Sequence, residues 1–204
     1  MSRLLLTRKP FLFPTTTSLS SSSSSNLLSH FGRHFLPIRS SMAQSSSDPF
    51  QKIQITRDDT TFDAYVVGEE KAPGIVVLQE WWGVDFEVKN HAQTIAKLGT
   101  GYRALIPDLY RGKVGLDVAE AQHLMDGLDW QGAVKDIAAS VSWLKSNGSP
   151  KVGVTGYCMG GALSIASAVL VPEIDAVVAF YGFLRQDLLI LLRSRFLCSS
   201  LWRA

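Results

Sequence analysis

One stretch, Lys151-Val152-Gly153-Val154-Thr155-Gly156-Tyr157-Cys158-Met159-Gly160-Gly161-Ala162, constrains the fold more than any other. A β-branched run ends in glycine, a cysteine stands two residues from glycine on either side, and an apolar helical pattern begins. This G-x-C-x-G pattern writes a sharp strand-to-helix turn with a nucleophile at its apex. Such a turn forces the apical residue into strained dihedrals, and flanking residues without a Cβ avoid clashes with the adjoining strand and helix. The helix that follows aims its N-terminal N–H groups at the sulfur, which favours the thiolate. A buried structural cysteine at a tight turn is the plainer alternative.

The rest of the chain supplies strands and helices in alternation. Lys52–Thr56 and Phe62–Val67 alternate in polarity around Arg57-Asp58-Asp59-Thr60, the pattern of a hairpin. Gly74–Leu78, Arg103–Ile106, residues 151–155 and Ala176–Tyr181 are short apolar runs, as strands buried on both faces should be. Val84, Val88, His91/Ala92, Ile95 and Leu98 recur at helical spacing, and Gly99 and Gly101 close that helix. Further helical patterns cover Val118–Leu128, a segment around Val134–Leu144 ending near Asn147-Gly148, and the stretch from Cys158 to about Leu170. An initial hairpin followed by alternating elements predicts an α/β fold, a mostly parallel sheet covered by helices on both sides.

Functional residues in such a sheet gather at the carboxyl ends of the strands. Three candidates stand there: Glu80, Arg111 and Cys158. An unperturbed thiol is only a few per cent ionised at neutral pH, so Cys158 needs a base or a positive field. The backbone N–H groups of Met159 and Trp81 are the candidate oxyanion-hole donors. Glu80 could contact the thiol or the substrate, or stand as a solvated loop carboxylate. Arg111 could fork a substrate carboxylate, or be a surface arginine. Trp81-Trp82 would line an apolar pocket or join the core. His91 and His123 fall inside helical patterns, where a surface or satisfied core histidine is the ordinary reading. No Cys/His/Asp grouping has metal-ligand spacing, and no Gly-rich phosphate loop follows the first strand.

Four separated motifs then agree in order and spacing. Gln79-Glu80-Trp81-Trp82-Gly83, Pro107-Asp108-Leu109-Tyr110-Arg111-Gly112, Leu128-Asp129-Trp130 and the Lys151–Ala162 stretch resemble dienelactone hydrolases, the carboxymethylenebutenolidase-like α/β-hydrolases. The resemblance runs from about residue 50 to Tyr181. It implies an α/β-hydrolase-like sheet, Cys158 as nucleophile of a Cys–His–Asp triad, Glu80 as the carboxylate interacting with that thiol, and Arg111 as a contact for a substrate carboxylate. It further implies small lactone and ester substrates, and neither metal nor organic cofactor.

The pattern breaks after Tyr181. In α/β-hydrolases the triad runs nucleophile, acid, histidine along the chain. Here His30, His34, His91 and His123 all precede Cys158, and the acids after it are Glu173, Asp175 and Asp187. Residues 183–204 hold a Leu188–Leu192 run and four arginines, without strand alternation or family motifs. They read as a divergent tail, such as a splice variant or frameshifted gene model produces, on a sheet incomplete at its C-terminal edge. The expected result is an impaired hydrolase, with Ala176–Tyr181 left as an exposed apolar edge open to self-association. A non-catalytic isoform that binds small carboxylates or pairs with a full-length copy is the alternative, and a redox-active thiol at Cys158 a third.

Charge and composition bound the remaining classes. Residues 1–47 carry Arg3, Arg8, Lys9, Arg33 and Arg39 and no acid, with serine running unbroken from Ser20 to Ser25. That is the composition of a transit peptide, most consistent with a plastid address, while a start at Met42 would give a cytoplasmic form. Residues 48–204 hold 15 bases against 18 acids, so no basic stripe for nucleic acid exists. No apolar run of membrane-spanning length occurs. Two cysteines, Cys158 and Cys198, make no disulfide framework. The expected organisation is a leader over 1–47, a partial hydrolase domain over 48–182 and the tail over 183–204.

Overall fold

The computed structural model describes residues 48–183 and Gln186. The proposed leader, and the proposed tail except Phe183 and Gln186, lie outside the described residues.

Six strands form one sheet: β1 (Gln51–Arg57), β2 (Thr60–Val67), β3 (Gly74–Leu78), β4 (Arg103–Pro107), β5 (Val152–Tyr157) and β6 (Ala176–Phe180). Their spatial order is β1-β2-β4-β3-β5-β6. β1 and β2 make the expected antiparallel hairpin, and β2 runs antiparallel to β4. From β4 through β3 and β5 to β6 every pairing is parallel. Four helices connect them: α1 (Phe86–Ala96), α2 (Val118–Asp126), α3 (Trp130–Ser146) and α4 (Met159–Leu170).

Local chemistry sets the helix starts. Asp85 caps α1 by accepting from Val88 N at 3.0 Å, and Asp117 caps α2 by accepting from Glu120 N at 2.8 Å. Helices α3 and α4 cover one face of the sheet, burying Val134, Ile137, Val141, Leu144 and Leu163 against Phe62, Val76, Leu105 and Val154. Helix α1 lies on the other face, over Val77, Ala104 and Ile106. The continuous apolar character of β3 and β4 follows directly, since both of their faces are covered.

β6 is the exposed apolar edge expected where the pattern breaks after Tyr181: its run has the composition of a strand buried on both faces, and Val178 is 54% and Phe180 42% exposed. Helix α4 packs against this strand, whereas α1 sits over β4 and β3 and does not extend to it. Among the described residues β6 is therefore an edge strand with apolar side chains in solvent. None of the described helices is long and apolar enough to cross a membrane.

Candidate active site

Cys158 stands between β5 and α4 with φ 52° and ψ −116°, a conformation in which a residue with a Cβ is strained. The glycines around it explain how this bend is tolerated. A Cβ on Gly156 would lie 2.5 Å from the carbonyl of Gly160, and a Cβ on Gly160 would lie 2.7 Å from the carbonyl oxygens of both Leu78 and Gln79. The start of α4 is thus pressed against the ends of β5 and β3. Cys158 N donates to Phe180 O at 3.1 Å, tying the bend to β6 as well. The thiol makes no capping hydrogen bond and is half-buried, so its sulfur is left for chemistry. Met159 is the first residue of α4, and the first N–H groups of a helix have no acceptor within it.

Glu80 follows β3. Tyr181 donates to its Oε1 at 3.5 Å. Local desolvation first, then the charges of Glu80 and Cys158, raise the Tyr181 phenol above its ordinary range. Tyr110 approaches from another loop and donates to Met159 Sδ at 3.2 Å. Its phenol is pushed far up by burial, with lesser contributions from the charges of Asp126 and Cys158. Trp81 and Trp82 are half-buried and meet edge to face at 5.3 Å.

A cleft of about 210 Å³ opens beside Glu80. Trp82 and Tyr157 wall it, and Asp85, Glu87 and His91 line it from α1 and its cap. The His91 ring lies 4.7 Å from that of Tyr157, the residue preceding Cys158, and Tyr157 stacks in turn on Phe180 at 4.6 Å. Sequence reasoning gave His91 no role. Its place in the cleft depends on Tyr157, which comes from a different strand, and no spacing along α1 signals it. Tyr181 was likewise missed, because it reads as the last residue of an apolar strand.

Arg111 is held elsewhere. Its Nη2 pairs with Asp136 Oδ2 at 2.7 Å, its Nη1 donates to Asp108 O at 3.0 Å, and its guanidinium lies 5.2 Å from the centre of the Phe62 ring. Asp136 is buried and also takes Arg57 Nε. The Asp108 carboxylate accepts from Tyr110 N and Gly112 N, and Gln79 Oε1 accepts from Leu109 N at 3.1 Å. These contacts fix the loop after β4, with Arg111 at φ 56°. Glu80 and Cys158 follow the carboxyl ends of the neighbouring strands β3 and β5, and Arg111 lines a hollow with Tyr110 and His123.

The family model for the dienelactone hydrolase family matches residues 62–195. Carboxymethylenebutenolidase of Pseudomonas putida is 35% identical over 140 residues, covering 61% of this chain and 57% of that protein. Protein usf of Aquifex pyrophilus is 38% identical over 120 residues, covering 54% of this chain and 51% of that one. The chain therefore spans between half and three-fifths of the length of these relatives. The crystal structure of dienelactone hydrolase from Anabaena variabilis superposes with a TM-score of 0.52 at 21% identity, over 72% of this chain and 68% of that one, a likeness of fold.

Proposed function

The chain belongs to the dienelactone hydrolase family, and from that premise we propose that it acts on small lactones and esters through Cys158. The observation that carries this reading is the bend at Cys158, with a half-buried thiol on a strained apical residue at the start of a helix. The thiolate attacks the acyl carbon, and the carbonyl electron pair moves to oxygen. Met159 N–H and Trp81 N–H are the donors assigned to that oxyanion. Collapse of the tetrahedral species expels the alkoxide or phenolate and leaves a thioester on Cys158. Glu80, at the end of the neighbouring strand β3, is the carboxylate assigned to that thiol.

Hydrolysis of that thioester needs a base to activate water, and all four histidines of the sequence precede Cys158. Loss of a triad base lowers turnover by about 10⁴–10⁶. Acylation is then the step to observe. With p-nitrophenyl acetate and a Cys198→Ser background, the expected result is a burst of about one p-nitrophenolate per chain followed by slow turnover. Cys158→Ala should remove the burst. A burst that survives this substitution overturns the assignment of the nucleophile, and steady hydrolysis at ordinary enzyme rates overturns the impaired deacylation.

A second reading, pairing with another copy, is favoured by the exposed apolar edge at β6, which offers unpaired strand groups to a neighbour. Size-exclusion chromatography of the full chain should give a dimer at tens of micromolar that Val178→Lys returns to monomer. A monomer at every concentration removes this reading.

A further inference from the structure

We propose that residues 188–202 fold back over the sheet and cover an apolar groove between β6 and α1, so that the chain's own C-terminal segment docks on its last strand. The inference is independent of the chemistry assigned to Cys158. The groove has a volume of about 310 Å³. Ile75, Thr155, Val178 and Phe180 form its floor on the sheet, and Ile95 and Leu98 of α1 wall it. Side chains of a strand alternate between its faces. Accordingly, Val177 packs into the core beneath α4 while Val178 and Phe180 line the groove on the other face. Gly153 lies between Ile75 and Ala176 without a side chain, which deepens the floor. Leu98 is half exposed like Val178, so the apolar surface runs from helix to strand without interruption. A contiguous apolar face of this kind marks a place where something docks.

Attachment, composition and reach identify the occupant. The chain leaves β6 at Phe180, a residue of the groove itself, and runs on from there to residue 204. Leu188 to Leu192 are apolar without a break, and Phe196, Leu197, Leu201 and Trp202 follow, so this segment carries apolar surface that also gains from leaving water. The five residues of β6 span about 17 Å, a length that about 11 helical residues match. Residues 184–204 supply that helix together with the turn leading into it. A second copy presents the same groove at its solution concentration, whereas a tethered segment acts at an effective concentration of about millimolar. Residues 1–47 precede β1, which is the opposite edge of the sheet from β6. The outer hydrogen-bonding edge of β6, which a neighbouring copy would pair with, is a different surface. Docking would also brace the stacked rings of Tyr157 and Phe180, and Phe180 O accepts from Cys158 N at the bend.

The test reads both surfaces in the full chain. On the groove side, Val178→Cys is placed in a Cys158→Ser, Cys198→Ser background, and its rate of labelling by Ellman's reagent is measured. With the C-terminal segment intact, labelling should be at least about tenfold slower than in the same chain carrying Leu188→Asp, Leu191→Asp and Leu192→Asp. Lys135→Cys, on the exposed side of α3, should label equally in both chains. The protection should hold unchanged between about 1 and 50 µM protein, as an intramolecular contact requires. On the segment side, hydrogen exchange of the unsubstituted chain should show the amides of residues 188–197 slowed by at least about 100-fold relative to an unstructured peptide. Val178→Asp, a change at a solvent-exposed position of the folded sheet, should release most of that protection.

Free labelling of Val178→Cys in the intact chain overturns the docking. Protection that fades on dilution assigns the groove to a second copy and overturns it equally. Protection that survives the three aspartates shows that residues 188–192 are not what covers the strand. Should the aspartate chain fail to fold, hydrogen exchange decides: unprotected amides over residues 188–197, or protection indifferent to Val178→Asp, overturns the proposal. None of these outcomes bears on the p-nitrophenolate burst, which tests Cys158 separately.

Discussion

Asp136→Ala should lower the unfolding free energy by about 3–5 kcal/mol, because it leaves two guanidinium groups facing a buried gap. Asp136 is 1% exposed, and its two carboxylate oxygens are divided between Arg57 and Arg111. Arg57 also donates to Gly132 O, so the acid joins the end of β1, the start of α3 and the loop after β4. Urea unfolding followed by tryptophan fluorescence gives the magnitude directly. The triple replacement Arg57→Met, Asp136→Leu, Arg111→Met should recover much of the loss, since no charge is then left without its partner. A loss below about 1 kcal/mol for Asp136→Ala would show that water reaches the pair and screens it. The same substitution should disturb the site, because Arg111 and Asp108 hold the loop that sets Tyr110 against Met159.

Gly160→Ala is expected to cost about 1–3 kcal/mol or more and to remove the p-nitrophenolate burst as well. The added methyl would meet the carbonyl oxygens of Leu78 and Gln79 at 2.7 Å. Both are main-chain atoms at the end of β3, so no side-chain rotation relieves the contact. Either α4 lifts from the strand or the end of β3 retreats, and each movement separates Met159 from the loop that carries Glu80 and Trp81. Gly127→Ala is the control. Gly127 caps α2 at φ −83°, and a methyl there lies 3.4 Å from His123 O, an ordinary contact. It should change stability by less than about 1 kcal/mol. Equal effects at the two glycines would contradict the packing account of the bend.

Much of this architecture is legible from local pattern. β3 and β4 announce themselves as continuous apolar runs because helices cover both of their faces. The bend at Cys158 is readable because close approach leaves glycine as the residue that fits at Gly156 and Gly160. At β6 composition alone matches a strand buried on both faces, and it is the break in pattern after Tyr181 that points to the open edge where Val178 stands in solvent. Composition records what a strand can be covered by, and cannot say which helix covers it. The site was harder for a related reason. Arg111 looks like a free loop cation until Asp136 is seen beneath it, and that acid sits inside a helical pattern where polar residues are commonplace. His91 has the same history, since its neighbours Tyr157 and Glu80 come from two other strand ends.

The bend at residue 158 is shaped by main-chain contacts among glycines, by the Phe180 carbonyl and by the carbonyl oxygens ending β3, while the sulfur caps nothing. The architecture is consequently indifferent to which nucleophilic atom it presents. An oxygen in place of the sulfur would inherit the same perch, and the identity of the reacting element could change in one codon while every neighbour stayed put.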